Sequence, residues 1–171
     1  SCDSGACVPD SACPTKEVIF LLHGIDSMLH RTDDEGDTWT TVATLPIPPP
    51  STVTMARSAD AVLYVGVFFN EADASDAGYP KGNQIFRSTD DGVSWTHMGS
   101  WDNGSSSSAL CAGPTADVIF ATDSTGTIYR SEDGGASLPS VGNWNVLGAM
   151  VDCAVAPNGL LMFADSAYCG S

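Results

Sequence analysis

"FRSTDDGVSWTHM", residues 86–98, is a short acidic turn set between two strand-like runs. The pattern returns in "HRTDDEGDTWT" from His30 and in "YRSEDGGASLP" from Tyr129. All three fit one template: Ser or Thr, any, Asp, any, Gly, any, Thr or Ser, large apolar. The first copy is Thr32, Asp34, Gly36, Thr38 and Trp39; the second is Ser88, Asp90, Gly92, Ser94 and Trp95. The third is Ser131, Asp133, Gly135 and Ser137, with Leu138 in the aromatic position. Each position has a mechanical task in a hairpin. The Asp accepts hydrogen bonds from backbone N–H groups two or three residues on, replacing ladder bonds lost at the turn. The Gly adopts a positive φ where a Cβ would clash. The hydroxyls tie the two strands together, and the Trp folds back over the hairpin.

Around each turn the sequence repeats as well. "PTKEVIF" (14–20) aligns with "PTADVIF" (114–120), and "ADAVLYVGVFF" (59–69) and "APNGLLMFADS" (156–166) fit the same slot. The apolar starts Val18, Val62, Val118 and Leu160 thus recur at intervals of one supersecondary unit. "LHRT", "IFRS" and "IYRS" lead into the three turns; "TWTTVATL" (38–45), "SWTHMGSW" (94–101) and "NWNVLGAM" (143–150) read as exit strands. Adding an inner strand such as "SALCAG" (108–113) makes four short strands per unit, rich in Val, Ile, Phe, Tyr and Trp. No 3.6-residue periodicity runs through the chain. A four-stranded unit at this spacing predicts an all-β, β-propeller-like fold of about four blades, each a four-stranded antiparallel sheet, the last incomplete. A β-sandwich also spaces its strands closely, but leaves the matched order of strand and turn unexplained.

These turns resemble the Asp-box, or bacterial neuraminidase repeat. That hairpin lies between the third and fourth strands of blades in sialidases, xyloglucan-cleaving hydrolases, sortilin-type receptors and photosystem assembly factors. The resemblance covers residues 11–171, and Leu138 departs from its pattern. It implies the propeller fold and, commonly, secretion. Because the family's boxes sit at the blade periphery, it implies structural roles for the template residues and carries over no active site.

Composition narrows the function. Twenty-one Asp and Glu face 6 Lys and Arg, a net charge of −15, which repels nucleic acid and anionic lipid. No apolar run approaches the ~20 residues of a membrane span. Of the four arginines, Arg31, Arg87 and Arg130 precede a turn, so Arg57 alone lies outside the repeat. A sialidase-like cluster of three arginines is therefore not available. Asp60 and Asp73 read as loop acids, indistinguishable from solvated ones. His23, His30 and His97 show no catalytic spacing, and His30 takes the strand position of Phe86 and Tyr129. No catalytic residue is assigned. No cofactor is expected; calcium is the one candidate, through Asp33, Asp34 and Asp37 in "DDEGD", whose spacing departs from the D-x-D-x-D-G loop and fits a solvated turn better.

Six cysteines, Cys2, Cys7, Cys13, Cys111, Cys153 and Cys169, contain no C-x-x-C pair and point to disulfides in an oxidising compartment. Their pairing is open. Cys111 and Cys153 each stand seven residues before a repeat start, in equivalent inner strands of adjacent units. Asn103 heads a glycosylation sequon. Residues 1–13 form a Cys-rich segment, a closing strand or linker, ahead of blades in 14–171. "ADSAYCGS" (164–171) stops where a fourth turn would begin. Three readings follow: internal closure by the N-terminal segment, completion by a neighbouring subunit, or a fragment of a longer propeller. The expectation is a secreted or cell-surface, non-catalytic structural or binding module. It would self-associate into a filament or layer through strand complementation and disulfides, or bind a glycan or protein. The rival is a piece of an Asp-box glycoside hydrolase whose catalytic residues lie elsewhere.

Overall fold

The computed structural model describes residues 18–23, 26–47, 53–72, 78–101, 107–144, 150–156 and 160–165. Thirteen short strands account for nearly all of its regular structure. They are β1 (Ile19–His23), β2 (Met28–Thr32), β3 (Thr40–Thr44), β4 (Val53–Arg57), β5 (Leu63–Phe69), β6 (Gly82–Ser88) and β7 (Thr96–Trp101). There follow β8 (Ser107–Ala112), β9 (Ile119–Asp123), β10 (Thr127–Ser131), β11 (Ser140–Asn143), β12 (Met150–Val155) and β13 (Leu161–Asp165). Among the described residues no helix is long and apolar enough to cross a membrane.

The strands form four antiparallel meanders: β1-β2-β3, β4-β5-β6-β7, β8-β9-β10-β11 and β12-β13. This is the blade arrangement of a β-propeller, with the second and third blades complete. Register places equivalent residues on the same rung, since Ile19 faces Thr32, Leu63 faces Ser88 and Ile119 faces Ser131. The exit strands β3, β7 and β11 all break register at one place: between Leu29 and His30, Ile85 and Phe86, and Ile128 and Tyr129. A β-bulge at a fixed rung adds twist there and re-aims the residues beyond it.

Two apolar cores lie between sheets rather than within one. The first joins Phe20, Leu22, Leu29 and Leu45 of the first sheet to Leu63, Val65, Val67 and Phe86 of the second. The second joins Val62, Tyr64, Ile85 and Trp101 to Leu110, Ile119, Ala121 and Leu138 of the third. Alternate residues along a strand serve opposite faces, so each sheet has a front face toward its predecessor and a back face toward its successor. That double burial is why β5 reads as the unbroken run "LYVGVFF": Leu63, Val65 and Val67 face forward and Tyr64 faces back.

One sequence expectation is corrected. The third exit strand was expected at 143–150. The strand is instead Ser140–Asn143, and Met150 opens the fourth sheet. Leu138 holds the turn's apolar position, as the template has it, and it is buried in the second core. Trp144 is the rung-equivalent of Trp101, both lying two residues beyond the glycine that faces the Ile of the preceding strand.

Candidate functional site: three turns seated between sheets

Each turn joins the third and fourth strands of its sheet and closes around its Asp. In the first, the Thr32 hydroxyl donates to Asp34 Oδ1 at 2.6 Å, and the Thr38 amide donates to the same oxygen at 2.9 Å. The Thr38 hydroxyl donates to Asp34 Oδ2 at 2.5 Å. In the second, Ser88 and Ser94 make the same three bonds to Asp90, at 2.8, 2.9 and 2.6 Å. In the third, Ser131 and Ser137 bind Asp133 at 2.7, 2.9 and 2.6 Å. The accepted amide is thus four residues on, rather than two or three. The first hydroxyl accepts from the Asp's own amide and from the Gly amide two residues beyond it, the latter at 3.1 Å for Gly36, 2.9 Å for Gly92 and 2.8 Å for Gly135. One hydroxyl therefore donates to the carboxylate while accepting from two backbone amides, which a hydroxyl's donor and lone pairs permit.

The backbone requires this geometry. Gly36, Gly92 and Gly135 have φ of 99°, 87° and 97°, and the residue before each is also left-handed: Glu35 at 63°, Asp91 at 56° and Gly134 at 70°. The indole N–H of Trp39 donates to the Gly36 carbonyl at 3.1 Å, and that of Trp95 to Gly92 at 2.9 Å. Leu138 forgoes that bond and is more deeply buried than either Trp.

The hydrogen bonds set the charge state. Those from the Thr32 hydroxyl and then from Thr38 hold the Asp34 carboxyl at about 2. Ser137, then Ser131, hold Asp133 at about 2, and Ser94 followed by Ser88 lowers Asp90. The carboxylates are anionic at neutral pH, and their oxygens are already engaged as acceptors. Asp33, Asp34 and Asp37 all lie in the first turn; among the described residues no group of three or more His, Cys, Asp or Glu gathers as a metal site.

The turns also lock neighbouring sheets, which the sequence did not disclose. A Cβ on Gly92 would stand 2.2 Å from Leu29 Cδ2 of the preceding sheet, and one on Gly135 would stand 3.1 Å from Ile85 Cδ1. The Arg ahead of the first turn and the Arg ahead of the second each reach the following turn. Arg31 Nη1 lies 3.6 Å from Asp91 Oδ2, and Arg87 Nη1 would meet a Cβ on Gly134 at 3.2 Å. Arg130 instead pairs with Glu132 of its own sheet at 2.8 Å and lies over the Phe120 ring, 5.8 Å from its centroid. Gly99 admits the next turn's backbone, since a Cβ there would stand 3.0 Å from the carbonyl oxygens of Gly135 and Ala136. Its rung-equivalent, Gly142, has nothing within 4 Å.

Other groups find places in the same joints. Asp60 is not a free loop acid: its Oδ2 accepts from the Ala116 amide of the next sheet at 3.1 Å, and the Tyr64 hydroxyl donates to the Ala116 carbonyl. Asp123, buried at the end of β9, accepts from the Thr125 and Thr127 amides and from the Thr125 and Tyr129 hydroxyls at 2.7–3.1 Å. Burial opposes its charge, but those bonds outweigh it and lower its pKa. "DSTGT" at 123–127 was the available sequence signal for this Asx-type turn. His97 hydrogen-bonds Gln84 at 2.9 Å and packs against Tyr79 and Phe86, and burial lowers its pKa. Arg57 lines a cavity of about 410 Å³ with Ser58, Gly113, Pro114 and Val155, at the ends of three inner strands.

Cys111 of β8 and Cys153 of β12 form a disulfide, with Cα atoms 5.9 Å apart, stitching adjacent inner strands across 42 residues. Cys2, Cys7, Cys13, Cys169, Asn103 and Asp73 lie outside the described residues, as does the expected closing segment 1–13.

Solved structures with this arrangement define the class as β-propeller. YCF48 bound to D1 peptide matches at a TM-score of 0.59 and 19% identity, over 88% of this chain and 44% of that one. A chain of the nidogen/laminin complex matches at 0.62 and 17%, over 86% and 52%. The GH74 xyloglucanase from Xanthomonas campestris matches at 0.54 and 20%, over 82% and 23%. The chain spans about half the length of the first two and about a quarter of the third. At such identities the likeness is one of fold. No family model and no curated protein matches the chain.

Proposed function

We propose that this chain is a secreted or cell-surface, non-catalytic β-propeller module of the Asp-box kind, whose role is to bind a protein partner, a second copy of itself included. The observation that carries this reading is the use made of the turn acids. Asp34, Asp90 and Asp133 each accept three hydrogen bonds and lie in turns pressed onto the preceding sheet or facing outward, so they hold structure rather than await a substrate. The Cys111–Cys153 disulfide supports an oxidising compartment. Two of the solved propellers, YCF48 with D1 peptide and the nidogen/laminin complex, are described with a peptide or protein partner, which supports the same use here.

The test has two arms. Intact mass and thiol count, before and after reduction, are measured on protein recovered from medium and from cells. Oxidised chain in the medium or at the cell surface is expected, and fully reduced chain confined to the cytosol overturns the compartment. Xyloglucan and sialoside turnover is assayed on the same material. No release of reducing sugar or sialic acid is expected, and turnover abolished by a point substitution overturns the non-catalytic role.

A further inference from the structure

Among the described residues this apolar joint between sheets is built twice, and residues equivalent to its two halves stand exposed on the first and fourth sheets. In the first joint, back-facing Phe20 and Leu29 meet front-facing Leu63, Val65 and Trp95. In the second, back-facing Tyr64 and Ile85 meet front-facing Ile119, Ala121 and Leu138. By register, Ile19 and Leu21 are the first sheet's equivalents of front-facing Leu63 and Val65, which are wholly buried. Ile19 is 42% exposed and Leu21 53%. Trp39, equivalent to Trp95, is exposed beside them, and a Cβ on Gly36 would meet only Trp39, whereas Gly92 and Gly135 each press on the sheet before. At the other end, Met162 of β13 is the equivalent of back-facing Phe20 and Tyr64. It is 50% exposed, where Tyr64 is buried.

We propose that a second copy of this chain completes the ring, the front face of each copy's first sheet (Ile19, Leu21, Trp39) packing on the back face of the other's fourth sheet (Met162). This rests on the reading that the module self-associates, and it names the surface. Two observations select the second copy as occupant. The two faces are halves of a joint whose fit this chain already demonstrates twice. They lie on different ends, so one copy offers both a socket and a plug, and two copies related by a twofold axis along the ring close both joints at once. The contact is face on face, apolar and renewable, and it needs no added strand and no intermolecular disulfide.

The test is the mass of the full oxidised chain in solution, by sedimentation equilibrium or light scattering, with Leu21→Lys and Met162→Glu as variants. Both residues are surface side chains, and circular dichroism checks that each variant keeps its strands. The wild type is expected at twice 17.7 kDa, and each variant alone as a monomer. Mixing the two restores the doubled mass, because one joint then pairs the introduced cation with the introduced anion and the other joint is native. A monomeric wild type, a doubled mass in either single variant, or a ladder of larger species overturns the proposal. A monomeric wild type that is secreted, oxidised and binds another protein overturns the ring alone and leaves the binding-module reading standing.

Discussion

At the scale of single residues, the turn aspartates couple the fold to pH. An unfolded Asp titrates near ~3.9, whereas Asp34 and Asp133 are held at about 2 in the fold. Between those values the unfolded chain binds protons that the native chain does not. The stabilisation from these carboxylates is therefore complete above pH ~4 and is lost as pH falls toward about 2. Thermal melts from pH 6 to pH 2 should show that decline, and the Asp34→Asn, Asp133→Asn double variant should melt lower at pH 6 with a shallower acid limb. An unchanged limb would remove the aspartates from the account. The glycines make a sharper comparison. Both Gly36→Ala and Gly92→Ala strain a left-handed backbone, but only Gly92 would drive a methyl into Leu29. Gly92→Ala should cost about 1–3 kcal/mol more than Gly36→Ala in denaturant melts, the usual range for overpacking.

At the scale of elements, the bulged exit strands carry the joint. Gly99 of β7 meets two carbonyl oxygens of the next turn, whereas Gly142 of β11, on the same rung, meets open space. Gly99→Ala should destabilise by about 1–3 kcal/mol, and Gly142→Ala should stay within about 0.5 kcal/mol. The two tryptophans on a shared rung give the same contrast: Trp101 is 2% exposed and Trp144 67%. Trp101→Ala should cost about 3–5 kcal/mol, and Trp144→Ala a small fraction of that. The disulfide between β8 and β12 closes 42 residues, for which chain entropy gives about 4 kcal/mol. The paired Cys111→Ser, Cys153→Ser variant should lose roughly that amount in denaturant midpoint, with little change in the β-sheet circular dichroism of its folded baseline.

At the scale of the whole molecule, the blades were legible because the turn template, the apolar starts and the Arg-bearing strands repeat in register, and repetition is visible without knowing what touches what. Placing the third exit strand failed for a local reason. "NWNVLGAM" carries a Trp like the other exit runs, although the template already puts Leu138 in the turn, and the strand proves to be Ser140–Asn143. Three further roles were not legible, because each needs the order in which sheets stack. Arg31 was counted as part of its own turn but answers Asp91 of the next one; Asp60 looked like a loop acid but holds Ala116; Gly99, which no motif singled out, admits the next turn's backbone. The exposed Arg31–Asp91 pair should be worth about 0–1 kcal/mol, so Arg31→Ala should shift stability little. Pairing contributes direction here more than strength.

That direction has a consequence for how the chain can be cut and spliced. Each sheet's back is shaped for the front of the next, so the smallest interchangeable part is one sheet with its turn, bounded between an exit strand and the following inner strand. A duplicated copy of the second sheet, spliced in between Trp101 and Ser107, would present Tyr64, Ile85 and Trp101 to a fresh set of Leu63, Val65 and Phe86, in the order its neighbours already use. The same splice made between Phe69 and Gly82, inside the sheet, would divide partners that lie on one rung. The protein is written in words, and the gaps between them fall after the exit strands.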